Sequence, residues 1–207
     1  MKYGFLPRAM WLVFRGSFQR YLPLIAQQNS GALMRKAKRT YRTILSTIPE
    51  FDKDDRFLVN LLSASMLAAV YLSLPKKTAL PAMTVYYHNA MTQNTVMKIF
   101  LNRSNHYTAI SQAKLKRQAD ASQKRTNPYT WKFRYKPGKN LNSYTAYFDT
   151  CGICCLFRKL GIAEIIPAMC TYDYDMAELG GTVFTRQYTL AGGGPYCDCH
   201  YRKKEEQ

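Results

Sequence analysis

The chain has 207 residues, of which 47% are hydrophobic and 21% are charged, so its composition is that of a folded globular protein and excludes a disordered chain. The formal net charge is +17, and it is unevenly distributed. Residues 151–207 contain six Lys/Arg and seven Asp/Glu, a net charge of −1, which leaves +18 for residues 1–150. A basic surface attracts anionic ligands without specifying which ones.

The first 127 residues show the hydrophobic spacing of helices. Apolar residues between Leu33 and Ile48 recur at steps of three and four, after Asn29 and Ser30, which can cap a helix, and before Pro49, which stops it. Two further helices are predicted at residues 82–101 and 110–124. This part of the chain is therefore predicted to be mainly helical and basic.

Residues 57–74 form an uncharged stretch of eighteen residues, close to the lower limit for a membrane span. The stretch also contains Asn60, Ser63, Ser65 and Ser73, and its small residues suit close helix packing. We expect a buried helix without membrane contact, with a membrane span as the alternative.

From residue 128 the period changes to that of strands. Aromatic residues alternate with Thr, Lys and Arg over 129–136, and residues 143–150 alternate similarly, so the two segments are predicted to pair as a hairpin. Residues 155–170 and 172–181 are predicted to form short helices, and residues 182–190 and 196–203 two more strands. The predicted fold class is α+β: an N-terminal helical part, then an antiparallel sheet of about four strands with short inserted helices. We expect one domain, residues 1–207, with 1–127 mainly helical and 128–207 carrying the Cys/Asp motifs.

The aromatic and basic strand admits two interpretations. Interleaved aromatic and cationic side chains can stack bases and hold phosphates, but a half-buried strand with aromatics inward gives the same alternation. No nucleic-acid motif accompanies the strand, and we therefore expect no nucleic-acid partner.

All six cysteines lie in the last 57 residues. The first eighteen residues contain Pro7, Arg8 and Arg15 and lack a small-x-small cleavage site, so we expect a cytoplasmic protein with reduced thiols. Zinc is one use for such thiols, bound by Cys151 and Cys154 together with Cys197, Cys199 or His200. Burial of cysteine as a small hydrophobe is the other. We expect no cofactor, with zinc or another divalent metal as the open alternative.

Taken in order, the C-terminal motifs resemble those of the bacterial L-2-amino-thiazoline-4-carboxylic acid hydrolases. The resemblance covers about residues 145–203, and its matching positions are Cys151, Gly161, Glu164, Pro167, Cys170, Asp173, Tyr174, Arg186, Thr189, Leu190, Gly193, Cys197 and Asp198. The chain departs from the pattern at Cys199, where an aromatic residue is usual, and in the additional Cys154 and Cys155.

The resemblance implies a hydrolase that opens a small cyclic amidine such as L-2-amino-thiazoline-4-carboxylate by adding water, on a route to L-cysteine. The matching residues would then divide the work between catalysis and substrate binding. Catalytic candidates are Cys151, Cys170, Asp173, Cys197 and Asp198, with any of the three thiols as nucleophile. Substrate-binding candidates are Arg186 as a carboxylate clamp, and Thr189 and Gly193 as donors to developing charge. Cys199 and His200 are expected to be peripheral.

Two other classes of function remain open. The predicted fold also resembles small-molecule-binding domains of the 4-vinyl-reductase type, which suggests a binding protein without activity. A zinc-stabilised nucleic-acid-binding protein is the third class. For the hydrolase and for the binding protein, the expected partner is a small molecule. Self-association into a homo-oligomer is left open.

Overall fold

The computed structural model describes residues 1–27, 29–102 and 106–205. Helices dominate the first part of the chain and the strands follow, so the fold is α+β as predicted. The α-helices are α1 (Phe5–Tyr21), α2 (Ser30–Ser46), α3 (Leu58–Ser73), α4 (Leu80–Thr92), α5 (Thr95–Asn102), α6 (Ala109–Ser122), α7 (Gly152–Lys159) and α8 (Ile166–Leu179). The strands are β1 (Phe133–Pro137), β2 (Ser143–Phe148), β3 (Thr182–Thr185) and β4 (Cys197–Lys203).

The boundaries of α2 and α3 follow from local chemistry. The Asn29 side chain accepts a hydrogen bond from the amide of Ala32 at 3.0 Å, which satisfies one of the free donors at the start of α2. Helix α3 is buried on nearly all sides, which explains its uniformly apolar sequence. Within the described residues, no helix has both the length and the apolar character that a membrane crossing requires.

The helix predicted over residues 82–101 is wrong as a single element. It divides into α4 and α5 at Asn94, whose side-chain oxygen accepts from the amide of Met97 at 3.2 Å and so starts a new helix. The Asn94 amide group also donates to the Val13 carbonyl at 3.0 Å, which fixes this break against α1. Helix α1 itself was not singled out by the sequence pattern.

The four strands form one antiparallel sheet in the order β1-β2-β4-β3. One face of the sheet carries Tyr144, Ala146, Cys199 and Phe184, all of which are buried. Ala146, Cys199 and Phe184 belong to the same hydrophobic cluster as Trp11 and the buried side chains of the helices. We call this the inner face of the sheet, and the opposite face the outer face.

All four predicted strands are longer than the observed ones, and the difference is largest in the first and the third. The first begins at Phe133 and not at residue 129, because the preceding segment bends across the start of α3. There the buried Thr130 hydroxyl donates to Asp55, which also binds Arg125 at 3.1 Å. The third strand ends at Thr185, and the chain then leaves the sheet in a loop of residues 186–196.

The two predicted C-terminal helices have different limits in the structure. Helix α7 starts at Gly152, and α8 runs unbroken from Ile166 through the expected boundary near residue 171. Pro167 lies in the first turn of α8, where its missing amide hydrogen costs nothing, and it marks the true start.

Candidate active site

Strand β4 directs its cysteines and its polar residues to opposite faces of the sheet. Cys197 and Cys199 are paired across the strands with Phe148 and Ala146 on the inner face. Asp198 and His200 point to the outer face, because successive side chains alternate along a strand. The motif Cys-Asp-Cys-His therefore contributes to two different surfaces.

The inner-face cysteines meet residues from three other segments. Cys151 and Cys154 come from the start of α7, Cys170 and Asp173 from α8, and Arg186 from the loop after β3. Electrostatic interactions connect Cys170 with Asp173, Arg186, Cys154 and Cys197, and connect Cys197 with Arg186, Cys154 and Asp173. We call this set, with Cys199, the thiol cluster: Cys151, Cys154, Cys170, Asp173, Arg186, Cys197 and Cys199.

Asp173 and Arg186 form the charged centre of the thiol cluster. The Arg186 Nη1 atom donates to Asp173 Oδ2 at 2.7 Å, and Nη2 donates to the carbonyl of Cys170 at 3.0 Å. The Arg186 side chain is only 6% exposed to solvent, whereas the Asp173 side chain is 35% exposed. Solvent thus reaches the carboxylate from one side while protein atoms surround the rest of it.

Burial raises the pKa of Asp173, and the charge of Arg186 opposes this effect without cancelling it. The guanidinium lies 5.7 Å from the ring centre of Tyr174 and 5.4 Å from that of Phe184. Cation–π contacts of this kind hold a cation in an apolar setting. Arg186 therefore lies in the site as expected, but its donors are already engaged with Asp173 and Cys170.

Cys151 and Cys154 act as a coupled dithiol pair at the start of α7. Interaction between the two thiols lowers the pKa of Cys154 to about 7 and raises the pKa of Cys151 well above its ordinary value. Burial opposes the first shift, and the charge of Arg158 favours it. Because the two thiols share a proton, we assign the first ionisation to the pair. The pair can thus hold one thiolate near neutral pH.

The remaining thiols of the cluster favour the protonated form. Burial and the nearby charge of Asp173 raise the pKa of Cys170 to about 12. Burial also raises the pKa of Cys197, although its sulfur accepts a hydrogen bond from the amide of Leu190 at 3.2 Å. Cys199 was expected to be peripheral, but it is buried and contacts Arg186.

Asp198 lies outside the thiol cluster and organises the loop after β3. Its buried carboxylate accepts from the amide of Tyr188 at 2.6 Å and from that of Gln187 at 3.1 Å, and His200 Nε2 lies 3.2 Å away. Burial disfavours the charge, but these hydrogen bonds outweigh it and hold the pKa of Asp198 below its ordinary value. Asp198 thereby fixes the backbone next to Arg186.

Thr189 and Gly193 shape the turn of the same loop. The Thr189 hydroxyl accepts from the amide of Gly192 at 2.9 Å, and the Thr189 carbonyl accepts from the amide of Gly194 at 2.9 Å. Gly193 has a φ of 84°, a conformation that favours glycine. The amides expected to bind a substrate thus satisfy hydrogen bonds within the turn.

A metal site would need three or more Cys, His, Asp or Glu side chains around one point. No such group exists within residues 1–27, 29–102 and 106–205. The version of the zinc set that uses His200 is divided by the sheet, because His200 is on the outer face and Cys197 on the inner face. The donors that remain on the inner face are thiols dispersed around Arg186.

A depression of about 340 Å³ lies on the outer face, beside Ser143, Thr145, His200 and Arg202. Thr145 Oγ1 and His200 Nδ1 are 3.0 Å apart there.

We place the candidate active site at the thiol cluster, because the separate C-terminal motifs converge there and one thiol of the cluster ionises near neutral pH.

The sequence analysis named Cys154 and Cys199 as possible zinc ligands but did not include them among the catalytic candidates. The three-residue step from Cys151 places Cys154 one helical turn further on, a spacing that could have revealed the first. The alternation of β4 could have revealed the second, since it places Cys199 on the side of Cys197.

Fold and site together describe an α+β protein in which buried thiols surround the ion pair of Asp173 and Arg186. A sequence model of the L-2-amino-thiazoline-4-carboxylic acid hydrolase family matches residues 60–201, and the chain belongs to this family. The match begins inside α3 and ends in β4, and it includes every residue of the thiol cluster. No curated protein and no solved structure matches the chain.

Proposed function

We propose that the protein hydrolyses a small cyclic amidine such as L-2-amino-thiazoline-4-carboxylate, with the thiol cluster as its active site and L-cysteine as the end of the route it serves. Membership in the family supports the reaction class. The observation that carries the proposal is the ionisable pair Cys151 and Cys154 beside the ion pair of Asp173 and Arg186.

The charges of such a substrate match those of the site. A 2-aminothiazoline carboxylate carries an amidinium and a carboxylate, and so needs an anion and a cation close together. Asp173 is the partly exposed anion and can pair with the amidinium. Arg186 lies behind it and can turn part of its donor fork from Asp173 to the substrate carboxylate. Binding replaces the ion pair of Asp173 and Arg186 by ion pairs with the substrate, which limits the cost of desolvating the substrate's charges.

The thiolate of the dithiol pair supplies the nucleophile. It adds to the amidine carbon, Asp173 takes a proton from the exocyclic amino group and passes it to the ring nitrogen, and the ring C–N bond breaks. Water then adds to the same carbon and expels the thiolate, leaving S-carbamoyl-L-cysteine. One water molecule is consumed overall, and the enzyme thiol returns to its starting state.

The other predicted residues have supporting roles in this proposal. Cys170 and Cys197 are held protonated and line the site next to Arg186. Thr189 and Gly193 build the turn that brings Leu190 to Cys197, and Asp198 anchors that loop from the outer face.

The test is incubation of the purified full chain with L-2-amino-thiazoline-4-carboxylate, followed by mass spectrometry of the small molecules. The proposal predicts a product heavier by one water. A colorimetric thiol assay of that product separates the two ring bonds: cleavage of C–N leaves no free thiol, whereas cleavage of C–S releases one.

Three results would change the assignment. A ligand that binds and is recovered unchanged would support the binding-protein alternative. A free thiol in the product would move the cleavage to the C–S bond. Full turnover after both Cys151→Ser and Cys154→Ser would remove the dithiol pair from the mechanism.

A further inference from the structure

The start of α7 contains the sequence Cys151-Gly152-Ile153-Cys154, two thiols separated by two residues at a helix N-terminus. Cys151 is the N-terminal flanking residue of α7 in an extended conformation, with φ −136° and ψ 116°, and Cys154 lies in the first turn. Positively polarised amides at a helix start favour a thiolate there. Hydrolysis requires one thiolate, so the second thiol of the pair has no assigned chemistry of its own.

The geometry brings the two sulfur atoms within reach of a covalent bond. Helix dimensions place the Cα atoms of residues three apart at about 5 Å, and disulfides form at Cα separations up to about 7 Å. The amide of Cys155 donates to the carbonyl of Cys151 at 3.1 Å, so the helical turn that joins the two cysteines is closed. All six cysteines are free in this structure, so the pair is present in its reduced form.

Gly152 fixes this geometry by close packing. A Cβ atom at Gly152 would lie 1.9 Å from the carbonyl oxygen of Tyr129 and 2.8 Å from the Trp131 ring. The start of α7 is therefore pressed against the segment before β1, and it cannot shift outward without losing that contact. Cys151 retains partial exposure, which gives a small oxidant access to the pair.

We propose that Cys151 and Cys154 form a reversible disulfide when the protein meets a peroxide. In the first step the thiolate of the pair attacks the peroxide O–O bond, giving a sulfenic acid and releasing water or alcohol. In the second step the partner thiol attacks that sulfur, the S–S bond forms, and water leaves. Two thiols lose two electrons and two protons in total, and the peroxide accepts them.

The disulfide also controls the hydrolase, and this consequence rests on the proposed function. A sulfur atom committed to the S–S bond can no longer attack the amidine carbon. Oxidation therefore lowers hydrolysis by about tenfold or more, and a dithiol reductant restores it. The bond itself can be detected without any substrate.

The experiment treats the reduced full chain with a small excess of hydrogen peroxide and measures its intact mass before and after dithiothreitol. A loss of two hydrogens that dithiothreitol reverses is the expected result. The matched control is Cys155→Ser, which removes the adjacent thiol of α7 and leaves the pair intact, so it retains the two-hydrogen loss. Cys151→Ser and Cys154→Ser should each abolish it.

Two outcomes overturn the disulfide. One is a gain of oxygen atoms without the two-hydrogen loss in the unaltered chain, and the other is persistence of that loss in Cys154→Ser. Circular dichroism of each variant shows that it has folded. If the mass change occurs but no cyclic amidine is hydrolysed by the reduced chain, the disulfide stands and the proposed function fails.

Discussion

The guanidinium of Arg186 contacts the carboxylate of Asp173 at 2.7 Å, yet the two partners differ in exposure. The cation is enclosed by Tyr174 and Phe184, while the anion retains contact with solvent. An ion pair of this asymmetry presents a carboxylate to an incoming ligand with its counter-ion already in place. In the proposed function, Asp173 contacts the substrate amidinium, while Arg186 holds Asp173 and turns part of its donor fork to the substrate carboxylate.

Asp173→Asn should reduce kcat/KM by about 10²-fold, because the amide can neither pair with an amidinium nor supply a proton. Hydrolysis assays of the purified variant check this. The matched control is Asp175→Asn on the same helix, whose carboxylate lies 2.8 Å from His88 and outside the thiol cluster. Equal losses in the two variants would indicate damage to α8 and not to the site.

Arg186→Met should lower the free energy of unfolding by about 1–2 kcal/mol, because the change leaves Asp173 without its partner while solvent still screens part of its charge. Urea unfolding monitored by tryptophan fluorescence measures the change. The double variant Arg186→Met/Asp173→Asn should recover part of the loss, since no unpaired charge is left. A double variant less stable than Arg186→Met would contradict this account.

The pH dependence of hydrolysis should follow the dithiol pair. The thiolate is the reactive form, so kcat/KM should rise as the pH increases through about 7, the pKa of Cys154. Cys151→Ser removes the sulfhydryl that stabilises this thiolate, and the rise should move toward the ordinary thiol range of about 8.5 in any remaining activity. An unchanged profile in Cys151→Ser would show that another group titrates.

Asp198→Asn should cost about 2 kcal/mol of stability at neutral pH, because a neutral amide accepts more weakly from the amides of Tyr188 and Gln187. The folded-state pKa of Asp198 is depressed, so its contribution is present above the unfolded value of about 4 and is lost as the pH falls through the folded one. The unfolding midpoints of wild type and variant should therefore differ more at pH 7 than at pH 3. A constant difference would show that the charge is not involved.

Gly152→Ala should destabilise the protein by about 1–3 kcal/mol, because its methyl group overlaps the backbone of Tyr129. Thermal unfolding checks the effect. Gly16→Ala on α1 is the comparison, since no atom lies within 4 Å of a Cβ at that position, and the added methyl should be neutral or slightly stabilising. Similar melting temperatures for wild type and Gly152→Ala would show that the start of α7 does not pack this closely against Tyr129.

Regular periodicity allowed much of the fold to be predicted from the sequence. The stripe on α2, the cap at Asn29 and the alternation of residues 143–148 depend on neighbours along the chain, and all three were confirmed. The break at Asn94 combines a local cap to Met97 with a contact to Val13, far away in sequence, and it was missed because only the second distinguishes it from an asparagine inside a helix. Long-range contacts of this kind leave no local pattern.

The same difference between local and long-range contacts explains which parts of the candidate site could be predicted. Cys197 and Asp198 lie on opposite faces of the sheet because side chains alternate along β4, and this part of the site depends on local sequence alone. The engagement of Arg186 by Asp173 and the enclosure of its guanidinium by Tyr174 required the helix and the loop to meet in three dimensions. Which thiol ionises first likewise depends on the contact between Cys151 and Cys154, and residue type alone does not reveal it.

The two outermost strands of the sheet limit the way in which this protein can associate. Strand β1 ends in Pro137, which has no amide hydrogen to offer a neighbouring chain, and β3 has only four residues. Neither border offers a long template for a further strand from another molecule. Growth of the sheet into fibrils is thereby opposed at both margins. Strand β4, which lies next to β3, carries oxidisable sulfur on one of its faces.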